Sequence, residues 1–245
     1  MMNVKIVKNG IDVSYSQGTI DWEKVKESGM VDYVILRAGF GRSASQKDET
    51  FERNYAECKR LGIPVGAYWF SYATDANDAK QEARACAEVL AGKQFEYPIY
   101  YDLENDPSSN YYPLNKGMAH CTSLVQGFCD ELEKLGYFVG LYMSRSYLVN
   151  CISAAVRYRY VLWVAEYDGP CKYSDTYGMW QKSSTGHIPG ITANTVDVDE
   201  CYVDYPISIK AAGKNGFPKT VATKKTIKVT IEQDGHTYSG TLTEQ

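Results

Sequence analysis

Apolar positions along the chain fall into two alternating rhythms. Short β-type runs rich in Val, Ile, Tyr and Phe are followed by longer stretches with apolar residues three and four apart. That alternation is expected of βα units building a mainly parallel sheet. The strand-like runs are Lys8–Val13, Tyr33–Arg37, Val65–Phe70, Pro98–Leu103, Phe138–Tyr142 and Val161–Ala165, with weaker ones at Gly178–Gln181 and Thr195–Val198. Helical patterns cover Trp22–Ser28, Glu49–Leu61, Ala76–Ala91 and Lys116–Leu135. Asp75 is placed to cap the third of these, and Gly62, Gly92 and Gly136 stand where helices should stop. After the fifth strand the long helical patterns cease. The pattern predicts an α/β fold over residues 1–210, a modified TIM-like β/α barrel of eight strands with helices mainly behind the first five.

Residues 211–245 read differently. Lys214-Asn215-Gly216-Phe217-Pro218 has the composition of a linker, Thr226–Ile231 and His236–Leu242 alternate cleanly, and Asp234-Gly235 between them marks a tight turn. This predicts a C-terminal β-hairpin. A lone hairpin is marginally stable, so it should pack on the barrel, on a partner or on a missing downstream module. Self-association through the hairpin is a further open expectation.

Composition narrows the function classes. With 26 basic and 30 acidic residues well mixed over 245 positions, the chain has no basic block, which argues against nucleic acid as a partner. No apolar run is long enough to span a bilayer, and Met1–Lys8 lacks the apolar centre of a signal peptide. Membrane insertion is not expected, and synthesis in the cytoplasm without a signal is. The seven cysteines, at 58, 86, 121, 129, 151, 171 and 201, form no C-x-x-C pair and read as free thiols from a reducing compartment. His120, His187 and His236 lack metal-ligand spacing, and there is no G-x-S-x-G, Walker or H-E-x-x-H motif. No metal or other cofactor is called for.

The chemistry is carried by acids at strand ends. In Tyr97-Pro98-Ile99-Tyr100-Tyr101-Asp102-Leu103-Glu104-Asn105 the two carboxylates are two positions apart and should share a face. Such a pair raises its own pKa values and keeps one proton near neutrality, as general-acid cleavage of a glycosidic bond needs. A D-x-E alone is a weak signal and more often an exposed strand end. Asp12, at the end of the first strand, and Asp197, in the eighth, strengthen the case. Acids at the ends of strands one, four and eight would meet at the C-terminal face of a barrel.

In these blocks the chain resembles the family 25 glycoside hydrolases, the Chalaropsis-type lysozymes of phage endolysins and bacterial autolysins. The resemblance covers about residues 9 to 205: Gly10-Ile11-Asp12-Val13-Ser14 with Gln17, then Phe51 and Asn54, Gly62–Tyr68, Asp102-Leu103-Glu104, Gly140-Leu141-Tyr142, Leu162–Tyr167, Met179-Trp180-Gln181 and Val196-Asp197, in order. It implies endo-hydrolysis of the β-1,4 bond from N-acetylmuramic acid to N-acetylglucosamine in peptidoglycan, without metal or nucleotide. It further implies Glu104 as general acid, Asp102 as its partner toward the reacting sugar, and Asp12 and Asp197 as the rest of an acidic floor. Whether a carboxylate or the substrate's own acetamido group attacks is left open. Asp199 stands where the family usually has Asn, so the choice of Asp197 rests on motif alignment.

Tyr68, Tyr142 and Trp180, followed by Trp163, Tyr167 and Tyr101, are the aromatic candidates for stacking on sugars, each with core packing as the competing role. Two other functions compete. A catalytically idle wall-binding module would keep the groove but not all four acids, which are present. A glycosidase of another β-1,4 amino-sugar polymer, chitinase-like, would have further acids before Asp102, where Pro98-Ile99-Tyr100-Tyr101 stand. The resemblance, the missing signal and the free cysteines together suit an endolysin reaching the wall after holin-type or lytic release.

Overall fold

A computed structural model describes residues 7–219 and 226–243. The opening residues read for a signal lie mostly outside this range. Eight strands close into one barrel: β1 (Lys8–Val13), β2 (Tyr33–Phe40), β3 (Val65–Phe70), β4 (Ile99–Asp102), β5 (Val139–Ser144), β6 (Val161–Ala165), β7 (Met179–Gly186) and β8 (Val196–Cys201). Helices α1 (Trp22–Glu27), α2 (Phe51–Arg60), α3 (Ala76–Leu90) and α4 (Met118–Lys134) match the four sequence patterns to within two residues at each end. Short α5 (Arg145–Cys151) and α6 (Ala154–Arg159) follow β5, and α7 (Tyr205–Ala212) follows β8. Among the described residues no helix is long and apolar enough to cross a membrane.

The local signals act as expected. Asp75 accepts from the backbone amides of Asn77 and Asp78 at 2.8 and 3.0 Å, which starts α3. Gly62 and Gly136 take φ of 65° and 96° just past α2 and α4, conformations that would strain a residue with a Cβ. All seven cysteines are free, six of them buried.

Strand alternation divides the barrel into two apolar layers. Ile11, Val34, Leu36, Ala67, Ile99, Tyr101, Leu141 and Val164 face outward into the core beneath the helices. Tyr33, Ile35, Tyr100, Met179 and Cys201 face inward and fill the barrel, with Tyr205 and Ile209 of α7 joining them. Gly140 makes room for this filling, since a Cβ there would lie 2.5 Å from the Tyr100 ring.

Two expectations need correction. The eighth strand was expected to present its end to the catalytic face, but β8 runs antiparallel to both β7 and β1. Only residues 187–195 separate β7 from β8. A parallel return needs a crossover of roughly a dozen residues or more, so the chain reverses as a hairpin instead. Asp197 therefore reaches the catalytic face from the start of its strand, and it is the Cα partner of Asp12.

The second correction concerns the boundary at residue 210, which falls inside α7. The linker-like segment beyond it is part of the barrel's closed end. Asn215 is fully buried, its Oδ1 accepts from the Phe138 amide at 2.7 Å, and its Nδ2 donates to the carbonyls of Phe95 and Tyr97 at 3.2 and 2.9 Å. Phe217 packs against the interior cluster. Polar, turn-forming composition concealed this, because Asn215 is satisfied by backbone groups that the sequence pattern does not reveal. Beyond this segment, β9 (Thr226–Gln233) and β10 (His236–Thr243) form the predicted hairpin, a sheet separate from the barrel. Asp234 and Gly235 both adopt positive φ, as a two-residue hairpin turn requires.

Candidate active site

The site grows from the inward positions of the strands at one end of the barrel. Asp12 on β1, Tyr68 and Phe70 on β3, Asp102 on β4, Tyr142 on β5, Trp163 on β6, Gln181 on β7 and Asp197 on β8 line one cavity of about 230 Å³, together with Glu104 just past β4 and Arg37 on β2. Asp102 and Glu104 do share a face, as their spacing predicted. All four acids expected from the sequence are brought together here.

Burial sets their protonation. Glu104 is pushed up to about 7, first by burial and then by the charge of Asp197. Asp197 is raised to about 6 by burial. Asp102 is held well above the ordinary carboxylate range by burial and by Glu104, with Arg37 opposing. Asp12 is raised by burial and by Asp199 and Asp197, while its hydrogen bond from Gln181 works the other way. Carboxyls so close cannot all ionise together, so the cluster retains protons near neutrality. Asp102 Oδ1 is buried without a hydrogen-bond partner among the described residues. An acceptor left so at the wall of a cavity is free to meet a substrate group.

The aromatic candidates divide. Tyr68, Tyr142 and Trp163 line the cavity, and the Trp163 ring lies edge-on to Tyr142 at 4.5 Å. Tyr167 reaches the site through its hydroxyl, which donates to Gln181 Oε1 at 2.6 Å. Tyr101 and Trp180 are not brought to the cavity. Tyr101 alternates with inward Tyr100 and Asp102 and so points outward, where its ring stacks on Phe128 at 4.2 Å. Its hydroxyl donates to Glu82 at 3.0 Å. Trp180 alternates with inward Gln181, and its indole N–H donates to the Glu166 carbonyl at 2.8 Å. The period-2 rule, applied through these two strands, would have removed both residues.

Three residues that the sequence reading passed over belong to the site. Gln181 donates to Asp12 Oδ2 at 2.7 Å and accepts from Tyr142 at 2.7 Å. Arg37 follows Tyr33 and Ile35 on the inward face of β2, and a cation in that register was the available signal. Asp48, from the loop after β2, accepts from Arg37 Nε at 2.7 Å. Asp199, set aside in favour of Asp197, is fully buried below the cavity and accepts from the Trp163 indole at 2.9 Å. It supports the floor from beneath, since Asp197 and not Asp199 lines the cavity.

A second cavity of about 710 Å³ adjoins the first and shares Arg37, Phe70 and Glu104 with it. Tyr15, Phe40 and Tyr72 add aromatic faces to its wall. Together the two form an open groove of acids and rings in which Glu104 stands at the junction. Such a groove has room for an extended ligand lying past Glu104.

Residues 11–191 match the model of glycosyl hydrolases family 25. The chain is 29% identical over 192 residues to the autolytic lysozyme of Clostridium acetobutylicum, covering 78% of this chain and 55% of that protein. It is 28% identical to lysozyme M1 of Streptomyces globisporus, covering 78% of this chain and 65% of that one. The chain thus spans between half and two thirds of these curated relatives. Among solved structures, the modular autolysin LytC of Streptococcus pneumoniae in complex with a synthetic peptidoglycan ligand superposes with a TM-score of 0.70 at 31% identity, over 80% of this chain and 47% of that one. The bacterial lysozyme of Streptomyces coelicolor shares the fold, with a TM-score of 0.70 at 23% identity over 84% of this chain and 96% of that one. On the match over residues 11–191, the chain belongs to glycosyl hydrolase family 25.

Proposed function

We propose that the protein is an endo-acting muramidase that cleaves the β-1,4 bond between N-acetylmuramic acid and N-acetylglucosamine in bacterial peptidoglycan. The observation that carries this is Glu104, a carboxyl with its pKa raised to about 7 at the junction of two cavities, two residues from buried Asp102. A general acid must be protonated at the working pH yet weak enough to return the proton, and a pKa near 7 serves both needs. Glu104 protonates the leaving oxygen. Asp102 turns its unpartnered Oδ1 to the reacting sugar, where it orients the 2-acetamido group or faces the anomeric carbon. Asp12 and Asp197 close the floor, and burial together with the charge of Asp197 keeps Glu104 protonated. Tyr68, Tyr142 and Trp163 pack against the ring, with Tyr167 at the rim.

The lysozyme names of the curated relatives and the peptidoglycan ligand of the pneumococcal autolysin support the wall polymer as substrate. In this reading the protein is made in the cytoplasm and meets the wall after holin-type or lytic release. Parallel digestion of purified peptidoglycan and of chitin tests the substrate. Muropeptide release with chitin left intact is expected, whereas cleavage of chitin at a comparable rate would move the assignment to a general amino-sugar glycosidase.

A further inference from the structure

Arg37 is held in a way that the acid chemistry does not require. Its Nε donates to Asp48 Oδ2 at 2.7 Å, and the Asp48 side chain is fully buried. Asp48 is fixed in turn by the Tyr15 amide at 3.0 Å and by the amide and hydroxyl of Thr50 at 2.9 and 2.7 Å. The guanidinium also lies over the Tyr15 ring, 4.5 Å from its centroid, with Phe40 at 5.9 Å. With Nε taken and one face covered, the Nη edge remains, and no described side chain accepts a hydrogen bond from it. A guanidinium fixed like this loses little freedom on binding and suits a carboxylate or carbonyl oxygen.

We propose that Arg37 is a specificity-determining residue that receives the lactyl carbonyl oxygen by which muramic acid differs from N-acetylglucosamine. The inference rests on the muramidase reading. Because Arg37, Phe70 and Glu104 line both cavities, sugars on the two sides of the protonated oxygen fall one into each. Among the residues lining the inner cavity Arg37 is the only cation, so an acceptor oxygen on the sugar meets its one charged guanidinium donor there. A lactyl group turned toward Arg37 gains a charge-assisted bond that the hydroxyls of Ser14 and Ser16 on the same wall do not offer. A sugar lacking the group leaves the Nη edge without a partner, so discrimination arises from one contact rather than from a tighter fit everywhere.

The test uses the full chain carrying Glu104→Gln, so that ligands survive, and calorimetric titration with three tetrasaccharides. These are the alternating muramoyl glycan bearing stem peptides, the same glycan stripped of peptide, and chitotetraose. Arg37→Met should weaken both muramoyl ligands by about tenfold to a hundredfold, the range for a charge-assisted hydrogen bond, and chitotetraose by less than about twofold. Loss with both muramoyl ligands supports a contact to the carbonyl oxygen they share, whereas loss confined to the stripped glycan would place Arg37 on the free carboxylate and overturn the proposal. The double variant Arg37→Met/Asp48→Asn removes the pair together, so a misfolded single variant does not end the test. Equal loss for all three ligands, no loss for the muramoyl ligands, or no muramoyl preference before mutation would overturn the proposal. Selective binding without cleavage by the native chain would instead strike the catalytic reading.

Discussion

Gln181 holds Asp12 from two strands away: its Nε2 donates to Asp12 Oδ2 at 2.7 Å, while its Oε1 accepts from the hydroxyls of Tyr142 and Tyr167 at 2.7 and 2.6 Å. One amide thus ties strands β1, β5 and β7 to the rim behind the acids, and its N–H favours the ionised form of Asp12. Gln181→Leu leaves three polar groups without this partner, each at a cost of about 1–3 kcal/mol if it stays dry. We expect a fall in melting temperature and a loss of kcat of at least about tenfold, with KM changed less. Gln181→Glu would add another carboxyl beside Asp12 and raise the pH at which the cluster ionises. Steady-state kinetics against pH with both variants checks this, and unchanged profiles would remove Gln181 from the machinery.

The pKa of Glu104 has a sign that can be read in stability as well as in rate. Its folded value near 7 lies above the ordinary 4.5, so the folded state binds the extra proton between those values and loses stability as pH rises through that window. Glu104→Gln, which cannot ionise, should therefore be more stable than the native chain above pH 7, by up to about 3 kcal/mol. The gap should close below about pH 4. Denaturant melts at several pH values measure it, and a constant gap would show that Glu104 ionises as freely folded as unfolded. Activity on the native chain should fall as pH rises through 7, because the general acid is then lost.

Asn215 predicts where the chain can be cut. Its side chain occupies three backbone groups at the closed end of the barrel. Asn215→Ala should cost about 2–4 kcal/mol, in keeping with buried backbone groups left without partners. Truncation after Gly213 should destabilise the barrel in the same way, whereas truncation after Lys219, which removes only the hairpin and its approach, should leave the melting temperature within a few degrees. If both truncations melt alike, the 214–217 segment is a linker after all.

Tyr101 separates scaffold from site. Its hydroxyl meets Ser71 at 2.6 Å and Glu82 at 3.0 Å on the outside of the barrel, and burial pushes the Glu82 carboxyl up to about 7. Tyr101→Phe should lower stability by about 1–2 kcal/mol through the lost hydrogen bonds and leave KM for peptidoglycan unchanged. Tyr68→Ala, at the cavity wall, should do the reverse, raising KM or lowering kcat more than it lowers stability. A rise in KM for Tyr101→Phe would place that residue in the groove.

These contrasts show what one sequence carries. Strand and helix periods were legible because inward and outward faces of a barrel both need apolar residues, and the glycine stops and the Asp75 cap are local. Asp102 and Glu104 were legible as a pair because two residues apart on a strand is a statement of facing. The direction of β8 was not, since it depends on the length of the 187–195 connection rather than on any residue in the strand. Arg37 and Asp48 escaped because their meaning lies in a contact between a strand and the loop that follows it. Asn215 escaped because a buried asparagine and a linker asparagine look alike until their partners are known.

The most direct measurement is the chemical identity of the new reducing ends released from purified peptidoglycan by the native chain and by folded Glu104→Gln. The account predicts reducing N-acetylmuramic acid with the native chain and its loss by several orders of magnitude in the variant. Reducing N-acetylglucosamine, or undiminished cleavage by Glu104→Gln, would contradict it.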